Sequence, residues 1–477
     1  MCSIIILTKI KAKQKKKVGT SMITIPDNIK SVIDKLIENG YEAYVVGGCV
    51  RDIIMERTPN DWDVTTSAKP EDVKCIFERT VDTGIKHGTV TVLIEREPVE
   101  VTTYRIDGEY IDNRRPEEVY YTKNIEEDLR RRDFTMNAIG YNDIDGFVDL
   151  FDGKGDIERK IIRCVGDPND RFNEDGLRML RAIRFSAQLG FEIDKETFDA
   201  IAQNNTLIKN ISAERIREEL TKILVSDNPE KIMLLYDTKL MSHILPEFEK
   251  CIGFEQDNPY HIYDVADHTI VAIKNIPNNA VLRWTMLLHD LGKPNTKTFD
   301  ENGIGHFYSH GRVSEEMANK ILNRLKFDNK SINKITRLIK FHDYRINKEE
   351  KSVRKAIAKI GDDIFIDLIK VQRADDSAKN PTVKEGYVEK SYEIERIYYK
   401  IKEKQQCISK KDMKINGRDL IEIGITEGKQ IGKMLDMLFK FVVEAPEMND
   451  KDKLIEVVRR KLGTEHYERG DYKNEKD

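Results

Sequence analysis

The stretch Tyr44–Thr66, YVVGGCVRDIIMERTPNDWDVTT, decides how the rest of the chain is read. Ala43 to Val46 form an apolar run of strand length, Gly47 and Gly48 make a turn, and a helix follows from about Val50. A second strand is expected to open at Asp61. Residues two apart on a strand share a face, so Asp61 and Asp63 set two carboxylates side by side. Such a pair repels itself unless a cation lies between, and hard oxygen donors favour Mg²⁺. Gly47 and Gly48 let backbone amides and a helix start approach an anion closely. Arg51, on the first turn of that helix, adds a fork of donors for phosphate. Each piece alone is ordinary, since Gly-Gly is commonly a turn and Asp-x-Asp a solvated strand end. In this order and within so few residues, they are the equipment for moving a nucleotidyl group.

GG-x-x-RD followed by D-x-D resembles the signature of the tRNA nucleotidyltransferase and poly(A) polymerase family, and the resemblance continues over most of the chain. It implies an α+β multi-domain fold: a nucleotidyltransferase-type mixed α/β head, then a mostly α-helical neck, body and tail. The expected divisions are a head over 22–165, a neck over 166–230, a body over 231–400 and a tRNA-binding tail over 401–465. Residues 1–21, with the basic run KIKAKQKKK, and 466–477 are expected to be disordered. The resemblance also implies a third metal carboxylate on a neighbouring strand, at Glu100 in PVEVTTY; the residues alone equally allow an exposed strand glutamate. In RRDFTMNA it matches Arg132 to a nucleotide-binding arginine, with Asp133 and Asn137 completing the motif.

Around these anchors, apolar Ile29, Val32, Ile33 and Leu36 predict a helix over Ile25 to Asn39. KPEDVKCIFE reads as a helix started by proline, and TVTVLIE and PVEVTTY as alternating strands. RIDGEYIDNRRPEEVYY is charged and rich in turn formers, so it reads as a mobile loop, similar to the family's segment associated with terminal A addition. FVDLFDGKGDIERKIIRCVGDP reads as a hairpin closing the head.

The second anchor is RFNEDGLRMLRAIRFSAQLGF, where Leu177, Leu180, Ile183, Ala187 and Phe191 recur at helical spacing. On one helix Asp175 and Arg178 share a face, with Arg181 and Arg184 continuing a basic stripe. Read blandly, this is an ion pair contributing about 0.3–0.5 kcal/mol. Cytosine and adenine, however, both offer an amine donor beside a ring-nitrogen acceptor. One carboxylate and one guanidinium would accept CTP and ATP and refuse GTP and UTP. The string E-D-x-L-R-x-x-R matches the family's templating motif from Glu174 to Arg181.

Downstream, five of nine histidines fall in one helical region from His268 to Asp375, four of them in the order His268, His289-Asp290, His310, His342, then Asp375. This resembles the HD-type metal phosphohydrolases. The implied assignment is His268, His289, Asp290 and Asp375 on one divalent ion, a transition metal or Mg²⁺. His310 and His342 remain for a second ion or a phosphate, and Lys293 for a phosphate. His243, His261 and His306 are expected to have no such role. The module implies hydrolysis of 2′-phosphates or 2′,3′-cyclic phosphates at tRNA ends.

With a net charge of −4, the 477-residue chain shows no global attraction to nucleic acid, so RNA contacts must be local. Six scattered cysteines without a C-x-x-C pair fit a reducing, cytoplasmic setting rather than a disulfide framework. No apolar run reaches membrane-span length. The implied partners are the tRNA 3′ end and acceptor arm, CTP and ATP, with monomer and homodimer both open. Three alternatives stand: an A-adding enzyme, a poly(A) polymerase, and a phosphohydrolase whose head only binds RNA.

Overall fold

A computed structural model describes residues 24–95, 97–108 and 118–470, residues 463–470 by backbone alone. The expectation of disorder over 1–21, the centre of the expected loop at 109–117, and 471–477 lie outside the described residues. The chain divides into two compact units, one ending at Arg171 and the other running from Phe172.

The first unit is built on strands β1 (Ala43–Val46), β2 (Asp63–Thr66), β3 (Thr80–Gly84), β4 (Thr89–Ile94), β5 (Glu97–Thr103), β6 (Arg105–Asp107), β7 (Val119–Tyr121), β8 (Ile139–Asn142) and β9 (Gly146–Asp149). Seven of them form a sheet in the order β3-β4-β5-β2-β1-β8-β9. β2 and β5 run parallel while the flanking pairs are antiparallel, which gives the mixed sheet. β1 is buried along its whole length. The helix Asp27–Glu38 buries Ile29, Val32, Ile33 and Leu36, as their spacing predicts, and packs across β1, β2 and β5.

Four expectations are corrected here. The helix after the glycines starts at Gly48 rather than Val50. β2 opens at Asp63, so Asp61 precedes the strand. The antiparallel register ends at Val46↔Asp63, because the partner strand has turned into the helix, and the parallel register would set Asp61 against Pro98, which has no N–H. The ends of the expected loop pair with each other as β6 and β7. GKGDIER is a helix, Gly153–Arg159, rather than a hairpin turn, since Asp149 accepts the amides of Gly153 and Lys154 at its start. The edge strand β3 carried little pattern, being largely exposed.

The second unit is mostly helical. Helices Leu177–Leu189, Lys195–Asn204 and Ala213–Leu224 come first. Val265–Asn275, Ala280–Leu288, His310–Arg324, Asn329–Phe341, Glu350–Ile360, Asp362–Ser377 and Pro381–Glu403 follow, with the hairpin Lys297–Phe299/Gly305–Phe307 inserted among them. Trp284 is fully buried, donates to Thr221 Oγ1 at 2.9 Å and meets Phe327 edge-on. Toward the C-terminus, Ile431, Met434, Leu435 and Leu438 of Gly428–Glu444 pack on one cluster, as their spacing predicts. The helix Lys451–Gly470 closes the described residues. The stretch from 168 to 189 is two helices, Pro168–Glu174 and Leu177–Leu189, broken at Asp175-Gly176, rather than one.

Candidate active sites

Strand register assembles the first site. Asp63 on β2 stands opposite Glu100 on β5, and in a parallel pair such neighbours share a face. Asp61, Asp63 and Glu100, all exposed, line one cleft of about 620 Å³ with Asn28, Trp62 and Thr91. Partial desolvation raises the Asp63 carboxyl above its usual range; Arg132 pulls it down and Asp61 pushes it up. A third carboxylate in the same cleft makes a donor set that fits a hard divalent cation.

Beside it, Gly47 has φ +80°, and a Cβ there would stand 3.2 Å from Arg132 Nη1. The bare glycine therefore lets Arg132 lie against the turn. Arg132 is fixed from below by Asp128, whose Oδ2 lies 3.3 Å from Nη2. Asp128 is completely buried and also takes Arg131 at 2.8 Å and the amide of Arg105 at 3.4 Å. Burial works against its charge, but Arg132 and Arg131 hold the carboxyl below its usual range. Arg51 donates to Asn137 Oδ1 at 2.8 Å, and Asn137 Nδ2 donates to Asp133 Oδ1 at 3.2 Å. Asp133 and Asn137 are thus buried and bear on the site through Arg51. Sequence reading missed Asp128, although its four-residue spacing from Arg132 was a signal.

In the second unit, Asp175 and Arg178 have separate partners rather than the mutual ion pair of the bland reading. Asp175 lies in the break between helices; it caps Leu177 N at 3.0 Å and pairs with Arg215 at 2.8 Å. Arg178 pairs instead with Glu174. Arg184 is taken up by Glu219 at 2.9 Å, and both Arg184 and Arg181 lie over the Phe185 ring, at 4.0 and 5.5 Å. The expected basic stripe is therefore tied into packing at Arg184. Glu174 and Arg215 are the partners that fix the orientation of Asp175 and Arg178.

The second unit also gathers the histidines. His268, His289, Asp290 and Asp375 offer ligand atoms all within 4.8 Å of one another, and Asp290, His310 and His342 form a second such group. His268 Nε2 lies 2.8 Å from Asp375 Oδ1; His289 Nε2 lies 3.1 Å from Asp290 Oδ2 and 3.4 Å from Asp375 Oδ1. Ligands around a cation at roughly 2.0–2.2 Å have about these mutual separations. Asp290 belongs to both groups, its Oδ1 facing His310 at 3.4 Å and His342 at 3.7 Å. His289, His310 and His342 each bond a backbone carbonyl three residues back through Nδ1, at 2.7, 2.7 and 2.6 Å. That contact fixes the tautomer and turns a bare Nε2 inward, the usual preparation of a metal-ligating histidine. Two such nitrogens, on His310 and His342, face each other at 3.0 Å. Burial, together with His310 and His289, pushes His342 down to about 3, so it stays neutral and available. Burial opposes a charge on His289, yet Asp290 and Asp375 raise it to about 10, so the two carboxylates draw positive charge to this point. The donor set fits a divalent metal of mixed nitrogen and oxygen preference.

One expectation changes at this centre. Lys293 is buried, with Nζ 2.7 Å from Asp290 Oδ2 and 2.8 Å from Gln256 Oε1, so it is anchored rather than presented to a ligand. His261 lies edge-on to His268 at 5.1 Å and His306 stacks on Tyr308 at 5.4 Å; both line the cleft over the cluster. His243 is structural, bonded to Asn205 Oδ1 at 2.7 Å.

The family model for the Poly A polymerase head domain matches residues 43–163, and the model for tRNA nucleotidyltransferase domain 2 matches 300–458. Residues 190–252 match the "Probable RNA and SrmB- binding site of polymerase A". The chain is 34% identical over 443 residues to the CCA-adding enzyme of Ligilactobacillus salivarius, covering 92% of this chain and 98% of that one. It is 34% identical over 427 residues to the CCA-adding enzyme of Limosilactobacillus fermentum, covering 89% and 94%. Among solved structures, the Bacillus stearothermophilus CCA-adding enzyme in complex with CTP superimposes with a TM-score of 0.68 at 29% identity, covering 92% of this chain and 98% of that one. The Thermotoga maritima CCA-adding enzyme complexed with tRNA shares the fold, with a TM-score of 0.58 at 20% identity, covering 91% and 94%.

Proposed function

The chain belongs to the CCA-adding enzyme and poly(A) polymerase family and is a nucleotidyltransferase; from that premise we propose that it adds C, C and A to the tRNA 3′ end from CTP and ATP without a nucleic-acid template. The observation that carries this reading is the cleft shared by Asp61, Asp63 and Glu100 beside the Gly47–Arg132 contact. These carboxylates would hold Mg²⁺, which when bound supplies positive charge against the triphosphate and the entering hydroxyl. The tRNA 3′-oxygen forms a bond to the α-phosphorus, the bond to the β-phosphate oxygen breaks, pyrophosphate leaves and the hydroxyl proton passes to solvent. Arg51 and Arg132 orient the triphosphate and sugar. Asp175 accepts the exocyclic amine of cytosine or adenine, and Arg178 donates to the neighbouring ring nitrogen. Arg215 and Glu174 keep those two groups from swinging away. The test is to incubate the protein with tRNA ending before C, CC or A, supplying CTP and ATP separately. Stepwise completion to CCA is expected; long A tails, or extension by A alone, would replace this reading with a poly(A) or A-adding one.

A second activity is favoured by the convergence of His268, His289, Asp290 and Asp375. These residues would hold a divalent ion, with Asp290, His310 and His342 able to take another ion or a phosphate. When bound, the ion supplies a Lewis acid that polarises a phosphoryl oxygen. The activity is metal-dependent hydrolysis of 2′-phosphate or 2′,3′-cyclic phosphate at tRNA ends. Hydrolysis of a cyclic phosphate by His289→Ala and Asp290→Ala variants at the wild-type rate would remove this assignment.

A further inference from the structure

The cleft over the histidine and aspartate cluster has a volume of about 590 Å³, within the range of small-molecule sites, and its mouth is aromatic. Tyr308 is 71% exposed and Tyr260 50% exposed, and both line this cleft. Single exposed aromatics need no explanation, but two on the lip of one polar pocket do. The Tyr308 ring is not loose: it stacks on His306 at 5.4 Å with 14° between planes, and His306 is held by Asp300 at 3.1 Å. The hairpin carrying both residues is tied to the segment carrying Tyr260. Gly305 N donates to Asp257 O at 2.7 Å, and Asn258 Nδ2 donates to Gly305 O at 3.0 Å. The approach is so close that a Cβ on Gly305 would stand 2.3 Å from Gln256 O. Tyr260 in turn accepts the amide of Asn380 at 2.9 Å. Lys379, paired with Asp375 at 3.1 Å, and Arg345, paired with Asp343 at 3.5 Å, line the same cleft. A flat, fixed π-surface and a metal-ligating cluster in one cleft match the two halves of a nucleotide, base and phosphate.

We propose that this cleft is a nucleotide site in its own right. The phosphoryl group points to the histidine and aspartate floor and the base stacks on Tyr308, with His306 as the backing ring and Tyr260 at the opposite lip. The proposal deepens the phosphohydrolase reading, on which its catalytic meaning rests, by naming the base as the feature that selects the substrate. It is sequence-tolerant, because every base has a π-face, and it needs an unpaired terminal nucleotide.

The test uses the full chain carrying Asp61→Ala and Asp63→Ala, so that the head cannot bind nucleotide through its metal. Binding of adenosine 2′-monophosphate and of glycerol 2-phosphate is measured by calorimetric titration in chelator, alone and with Tyr308→Ala or Tyr308→Phe added. Tyr308 is exposed, so neither change threatens folding. Adenosine 2′-monophosphate is expected to bind more tightly than glycerol 2-phosphate. Tyr308→Ala should shrink that preference about five- to hundredfold, the span of one base–aromatic stack, and Tyr308→Phe should keep it. Equal affinity for the two phosphates, or a preference untouched by Tyr308→Ala, overturns the proposal. Phosphate release with added divalent ion is then assayed on the same proteins. A base preference in binding without any release would retain the stacking site and discard the phosphohydrolase. Release without base preference would do the reverse.

Discussion

Asp128→Asn is the most informative single change in the head. It keeps the shape of the side chain but removes the charge that Arg131 meets at 2.8 Å and Arg132 at 3.3 Å. Breaking a buried ion pair costs roughly 3–5 kcal/mol when the stranded charge cannot reach water. Here the two arginine side chains keep 18% and 20% exposure and can rehydrate in part, so about 2–3 kcal/mol is expected. For a unit of this size that lowers the midpoint of thermal unfolding by about 5–10 °C. Because the folded-state carboxyl lies below its usual value, its contribution is present above the unfolded pKa of about 3.9 and is lost as pH falls through the folded one. The stability gap between wild type and variant should therefore be constant near neutrality and close only below about pH 4. Release of Arg132 should also raise KM for CTP about tenfold, the worth of one charge-assisted hydrogen bond. Calorimetry across pH and steady-state kinetics read both effects. An unchanged midpoint with an unchanged KM would show that Asp128 neither supports the unit nor positions Arg132.

Arg215→Ala should free Asp175 and raise misincorporation of GTP and UTP at least fivefold, measured by competition between nucleotides on tRNA lacking its last residue; intact discrimination would rule out the support role. Gly47→Ala sets a Cβ against Arg132 on a left-handed backbone, and nucleotidyl transfer should fall tenfold or more while the body's metal content, read by elemental analysis, stays at the wild-type level. Chelation followed by Mg²⁺ should restore CCA addition, whereas cyclic-phosphate hydrolysis should return only with a metal that the histidine centre accepts; equal recovery of both activities with Mg²⁺ would show that the mixed donor set does not discriminate.

The parts legible in the sequence are those set by local pattern. The spacing of Ile29, Val32, Ile33 and Leu36 predicts its helix because a periodic apolar face has one stable use. The His268, His289-Asp290 and Asp375 set likewise comes together as its order suggests, although 107 residues separate its ends. What the sequence did not show depends on partners far along the chain. Whether Asp61 belongs to a strand is decided by where β1 stops and by Pro98, neither of which a two-residue spacing reveals. Asp175 lies between two helices, and Arg215, forty residues on, supplies its counter-charge. His306 looks idle in the pattern of histidines, and only the hairpin fold reveals the ring it supports.

The register that sets Asp63 against Glu100 has a bearing on how the enzyme becomes active at all. A parallel pairing of strands 37 residues apart closes a long loop, which is slow compared with the hairpins on either side. A slip of β5 by one residue would turn Glu100 to the opposite face. Pairing of Asp63 with Glu100 is thus expected late in folding, and a misregistered head would lack the third carboxylate of its cleft.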